Sequence, residues 1–137
     1  VKRQKVPLRE GLFTHDASGA ALLASECKTC GRVFFPRRER CLDCLNQGME
    51  TVLLRGMCSL YAFTIVHMPT EHYDAPFAIG WVEFPDGVRV FGQIRHWESH
   101  VLKIGMNMEL VIDTLWREED KEILGYKFSP VSDDDKK

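Results

Sequence analysis

The chain has 137 residues, 18 Lys and Arg against 20 Asp and Glu for a net charge of −2, and 45% hydrophobic residues. That is ordinary for one globular domain, or for a small module attached to one modest core. Its longest apolar runs, such as residues 77–82, fall far short of the roughly 20 residues that cross a bilayer, and the opening VKRQKVP has no apolar run behind it to act as a secretory signal. A soluble, cytoplasmic protein in a reducing compartment is expected, where paired cysteines read first as metal ligands rather than disulfides.

Residues 1–20, with Pro7, Gly11 and a polar stretch at 14–19, read as a weakly ordered lead-in segment. Residues 21–56 carry the cysteine pairs, with two short strands expected around the first pair and Pro36 closing them. Charge divides near the end of this region. Residues 1–56 hold ten Lys/Arg against six Asp/Glu, whereas residues 57–137 hold eight against fourteen. The basic half is a local electropositive patch on a slightly acidic chain.

Residues 57–130 read as all β. The segment 58–68 is rich in β-branched and aromatic residues, and a Pro-containing loop follows it. The strands 77–84 and 88–95 are separated by Pro85-Asp86-Gly87, and Asp-Gly is a strong hairpin signal because glycine accepts positive φ. Val88, Val90 and Ile94 alternate with Arg89 and Gln93, the period of a half-buried strand. A short helical turn is expected in 97–104, then strands over 106–116 and 121–128. Residues 131–137 read as a disordered tail. Five strands with short connections suggest a small closed barrel, most often an OB-fold. An SH3-like barrel or a small sandwich would give the same pattern. The expected fold class is mainly β, with a rubredoxin-like zinc ribbon followed by a five-stranded OB-fold barrel.

The pairs Cys27-Lys-Thr-Cys30 and Cys41-Leu-Asp-Cys44 predict a tetrahedral site of four thiolates, Cys27, Cys30, Cys41 and Cys44. Each C-x-x-C knuckle supplies two soft ligands, and Gly31 suits the sharp turn after the first. Zn²⁺ is the expected ion, and iron of rubredoxin type would use the same set. Four thiolates close the shell, so the metal holds shape rather than performing chemistry, and it supplies folding energy that so small a module lacks. A thioredoxin-like redox pair would need a β-α-β context, which is absent. Cys58, out of spacing, reads as a small core residue.

No complete catalytic set is visible, and no catalytic residue is assigned. His67 and His72, with Glu71 between them, are conceivable as a second metal or acid–base site but read first as loop residues. His96 and His100 would share a face only if helical. Trp81, Trp97, Trp116, Phe34, Phe35 and Tyr61 offer stacking surfaces or, more simply, core.

The order of segments, with CKTCGRVFFPRRERCLDC, APFAIGWVEFPDGVRVFGQI and KIGMNMELVI, resembles a family of zinc-ribbon plus OB-fold proteins associated with acyl-CoA, called domain of unknown function thirty-five. The resemblance spans most of residues 21–128. It implies a non-catalytic accessory subunit of a thiolase-type, hetero-oligomeric complex that helps bind or position acyl-CoA for β-ketoacyl-CoA cleavage or condensation. The nucleophilic cysteine would sit on the thiolase-fold partner. A role such as the small subunit of benzoylsuccinyl-CoA thiolase lies within what the family covers. Arg32, Arg37, Arg38 and Arg40, between the cysteine pairs, are the candidate contacts to CoA phosphates. The alternatives are a single-stranded nucleic-acid binder, disfavoured by a pI near 6.2, and a purely structural assembly module.

Overall fold

The computed structural model describes residues 4–9, 11–16, 19–42, 44–45, 47–99 and 101–131. Apart from Val131, the tail expected to be disordered lies outside the described residues, as does His100.

Among the described residues, ten strands and one 3-10 turn account for the regular structure. They are β1 (Gln4–Pro7), β2 (Phe13–Asp16), β3 (Gly19–Cys27), β4 (Val33–Phe34), β5 (Met49–Leu54), β6 (Met57–Val66), β7 (Phe77–Glu83), β8 (Arg89–Ile94), the turn Trp97–Ser99, β9 (Asn107–Arg117) and β10 (Lys121–Pro130). The protein is mainly β, with an N-terminal cysteine-bearing sheet and a closed five-stranded OB-fold barrel.

In the barrel, β6 to β8 run as an antiparallel meander, β9 returns beside β6, and β10 pairs with β9 along its whole length. Closure comes from the parallel pairing of β10 with β8 at Lys127↔Gln93 and Phe128↔Ile94. Closing the sheet removes the exposed edges that an open one would leave. The meander turn forms where Asp86-Gly87 places it. Gly87 sits at φ 89° and donates its N–H to the Phe84 carbonyl, while Phe84 N–H bonds to the Val88 carbonyl.

The inward phase of the strands builds the core. Ala78 and Val82 of β7, Val90 and Ile94 of β8, Met108 of β9 and Phe128 of β10 are all buried. Gly80 is a requirement of this packing, since a Cβ there would stand 2.4 Å from the Ala62 carbonyl oxygen. Leu22, Ala24 and Leu54 of the cysteine-bearing sheet belong to the same buried cluster. One core thus runs through both sheets.

Two features depart from the expected pattern. The segment read as a loose lead-in contains strands in both sheets. β1 adds in parallel to β10 at Gln4↔Lys121 through Pro7↔Leu124, ahead of the stretch of β10 that meets β8. β2 pairs antiparallel with β3. Its short, polar strands carry no two-residue alternation because they lie at sheet edges. β5, which sequence patterning leaves unassigned, pairs with β3 from Leu22↔Leu54 to Cys27↔Met49.

Candidate metal centre and an aromatic groove

Both cysteine knuckles have the same backbone construction. The N–H of Gly31 donates to the Cys27 carbonyl at 2.8 Å, and the N–H of Leu45 donates to the Cys41 carbonyl at 2.9 Å. Each knuckle ends on a left-handed residue four positions after its first cysteine, Gly31 at φ 77° and Leu45 at φ 62°. The sequence marks the first with glycine and hides the second behind leucine.

The four sulfurs of Cys27, Cys30, Cys41 and Cys44 lie within 4.8 Å of one another. Cys27 and Cys44 Sγ are 3.5 Å apart, and Cys30 and Cys41 Sγ 3.6 Å. Those separations are too long for a disulfide, whose S–S bond is about 2.05 Å. A tetrahedron with Zn–S bonds of about 2.3 Å has edges of about 3.8 Å, close to the spacing found. The cluster is compatible with a structural zinc site. The Cys30 backbone N–H is the largest influence on Cys27; it outweighs burial and, with the N–H of Thr29, holds that thiol down to about 6. Cys58 lies apart, buried, with its Sγ 3.5 Å from the Met108 carbonyl, and burial pushes its thiol up to about 12. It is a core residue, as its spacing implies, and no nucleophile at neutral pH.

The arginines between the knuckles are exposed. Arg37 and Arg38 border a polar hollow with Glu39 and Glu50. The Arg38 backbone N–H bonds to Ser25 Oγ at 2.9 Å, the Arg37 guanidinium packs over Gly11, and the Arg32 guanidinium lies 6.0 Å from the Phe34 ring centre. Opposite charges therefore face each other around this hollow, and no ring lines it.

Among the described residues the histidines form no cluster. Among the described residues the four cysteines are the one group placed to share a metal ion. His72 stacks flat on Trp116, with centroids 4.0 Å apart and planes 7° from parallel, and so pins the β6–β7 loop to β9. Trp97 and Phe35 pack against the core.

Sequence reasoning missed an aromatic-lined concavity. A cavity of about 540 Å³ opens where Leu8, Arg9 and Leu12, the Phe35–Pro36 turn and the outer face of β7 and β8 meet. Trp81, Phe91 and Tyr126 supply its rings, and Arg9 and Arg89 its charges. It continues into an apolar hollow of about 310 Å³ shared by Tyr73, Phe77, Ile79 and Leu115. The available signal was phase: Phe91 falls on the same face of β8 as Arg89 and Gln93, where a polar residue is expected.

Comparison with known proteins follows the same division. Residues 21–50 match the family model described as the ChsH2 rubredoxin-like zinc ribbon domain, and residues 51–113 match the ChsH2 C-terminal OB-fold domain. A DUF35 domain-containing scaffold protein of Methanocaldococcus jannaschii is 31% identical over 134 residues, 94% of each chain. The chain belongs to the DUF35 family. This DUF35 chain is also 25% identical to the benzoylsuccinyl-CoA thiolase subunit BbsA of Thauera aromatica, over 85% of its own length and 81% of that protein. Among solved structures, the Ltp2-ChsH2(DUF35) aldolase superposes with a TM-score of 0.64 at 22% identity, covering 80% of the DUF35 chain and 84% of the other, a likeness of fold. No described helix is long and apolar enough to cross a membrane.

Proposed function

We propose that the protein is a metal-braced accessory subunit that positions acyl-CoA for a thiolase-type partner, which carries the nucleophilic cysteine. Cys27, Cys30, Cys41 and Cys44 would hold Zn²⁺. The ion would lock the two knuckles and leave no coordination position for water or substrate. The observation that carries the reading is the open, ring-lined cavity of about 540 Å³ between ribbon and barrel, within the size range of small-molecule sites. Its described lining holds no cysteine, serine, threonine, lysine or histidine. A concave site without a reactive group suits binding rather than bond-making.

The relatives support this reading, since one is named a scaffold protein and another a thiolase subunit. The benzoylsuccinyl-CoA case is the specific instance to try first. Arg32, Arg37, Arg38 and Arg40 remain candidate contacts for CoA phosphates or for the partner. A cytoplasmic, hetero-oligomeric setting goes with the same proposal.

The test is reconstitution. The zinc-loaded chain is mixed with a thiolase-fold protein from the same cell, and CoA-dependent cleavage of a β-ketoacyl-CoA is followed for the mixture and for each component. The expected result is a stable complex, activity in the mixture, and a higher KM for acyl-CoA without this chain. A thiolase with equal kcat and KM in its absence would refute the positioning role.

A further inference from the structure

The outer face of the barrel meander is built in a way that folding does not require. At a solvent-facing position of a half-buried sheet, a polar side chain would serve the fold as well as a ring. Here Trp81 and Phe91 are cross-strand partners, their rings 5.3 Å apart at 62°, and they remain 44% and 45% exposed. Beside them the register of β6 against β7 shifts between Leu60 and Ala62. This irregularity sets Tyr61 out of the ladder, and such bulges re-aim a side chain. Its ring lies under the Arg89 guanidinium, whose central carbon is 3.8 Å from the ring centre. Arg89 Nε also donates to Glu83 at 3.0 Å, so the guanidinium is held from below and from one edge. It has five donors in all, and an Arg fork fixed in this way meets a phosphate with less loss of freedom than a mobile one.

Across the cavity from these strands stand Phe35, Pro36 and Arg9. The site therefore offers exposed ring faces flanked by two guanidinium groups, in a cleft open to solvent. Rings that stack a planar heterocycle beside cations that take phosphate are the elements of nucleotide recognition. The hollow beside Arg37 and Arg38 lacks both halves of this, having no aromatic lining and two glutamates among its walls.

From this geometry we infer that the cleft of Trp81, Phe91, Arg9 and Arg89 binds a phosphorylated purine nucleoside, the nucleotide end of the acyl-CoA. The base stacks on one of the two rings, Trp81, and meets Phe91 at its edge, because their planes stand 62° apart, and Arg89 and Arg9 take the phosphates. The apolar hollow that continues past Phe91 toward Leu115 then receives the thioester arm. The source of the nucleotide rests on the acyl-CoA reading; the stacking site itself does not.

Isothermal titration of the full, zinc-loaded chain with 3′-phosphoadenosine 5′-diphosphate, at low salt, tests the site. Saturable binding is expected, weakened at least tenfold in Trp81→Ala, Arg89→Ala and Arg9→Ala. Lys103→Ala, at an exposed position that lines neither the cleft nor the hollow beyond it, should bind as the parent does. Quenching of tryptophan emission by the nucleotide should vanish in Trp81→Phe, a variant that keeps a ring and guards against loss of fold. No binding by the parent chain, or binding unaltered by the Trp81 and Arg89 changes, overturns the inference. It does so even if reconstituted thiolase activity still depends on this chain, in which case the accessory role stands alone. Nucleotide binding that depends on Trp81, together with a thiolase indifferent to the chain, leaves the site standing and removes the acyl-CoA role. A ten-residue oligodeoxyadenylate that binds more tightly than the mononucleotide, through the same residues, overturns CoA as the source in favour of a single strand.

Discussion

The two knuckles invite an experiment in which equivalent positions respond with opposite sign. Leu45 occupies the left-handed region at φ 62°, where Gly31 sits at φ 77° in the first knuckle. A side chain in that region costs roughly 1–2 kcal/mol through the clash of Cβ with the following carbonyl. Replacing it by glycine removes that cost but adds unfolded-chain freedom worth about 0.4–1 kcal/mol. The Leu45 side chain is 66% exposed, so little burial is lost. Leu45→Gly should therefore stabilise the protein by about 0.5–1 kcal/mol, a rise of roughly 2–3 °C in Tm for a chain of this size. Gly31→Ala should do the reverse by a similar amount. A Cβ at Gly31 meets no atom within 4 Å, so its cost is conformational rather than steric. Thermal unfolding followed by circular dichroism, on zinc-loaded samples at fixed pH, resolves the difference of about 1–2 kcal/mol between the two variants. If Leu45→Gly lowers Tm, or both variants lower it equally, positive φ is not what limits these turns.

Three further outcomes are expected. Phe128 is fully buried against Phe84 and Tyr126, and Phe128→Ala should cost about 3–5 kcal/mol, read as a lower urea midpoint with little change in slope. Stripping the metal with a chelator, or Cys41→Ser, should lower the melting of the whole chain in one transition, because Leu22, Ala24 and Leu54 of the cysteine-bearing sheet share the barrel core; two separated transitions would refute that coupling. Burial holds Cys58 protonated to about pH 12, whereas an unfolded thiol ionises near 8.5. The unfolded state therefore binds fewer protons above pH 8.5, and stability falls by up to about 1.4 kcal/mol per pH unit between there and 12. Comparing Tm at pH 8 and pH 10 in the parent and in Cys58→Ala isolates this contribution, and the parent should lose more.

Legibility in the sequence followed the range of the interactions. The cysteine cluster was readable because each half is local: two residues separate the cysteines of a pair, and Gly31 marks one turn. The barrel strands were readable because alternation such as Val90, Arg89, Ile94, Gln93 records which face is buried. β1 and β5 left no such record, since their partners, β10 and β3, are distant in sequence and they lie at the rim. The groove was hidden for a related reason. Arg9, Phe35, Trp81 and Arg89 come from four separate segments, and no local spacing announces that closure brings them together. Arg37 and Arg38, adjacent and conspicuous, lie instead beside Glu39 and Glu50.

The parallel pairing of β1 with β10 also has a consequence for the making of the protein. Gln4 lies opposite Lys121, so β1 leaves the ribosome long before the strand it needs has been translated. The cysteine-bearing sheet and the β6–β8 meander can form from contiguous chain, but β1 must wait through their assembly with its hydrogen-bonding edge unpaired. Pairings of such sequence separation form late and slowly. Lys5 and Pro7, a charge and a residue that cannot donate to a ladder, are the residues that keep a waiting edge from joining another chain. The segment that looks most dispensable in the sequence is then the one whose docking completes the fold.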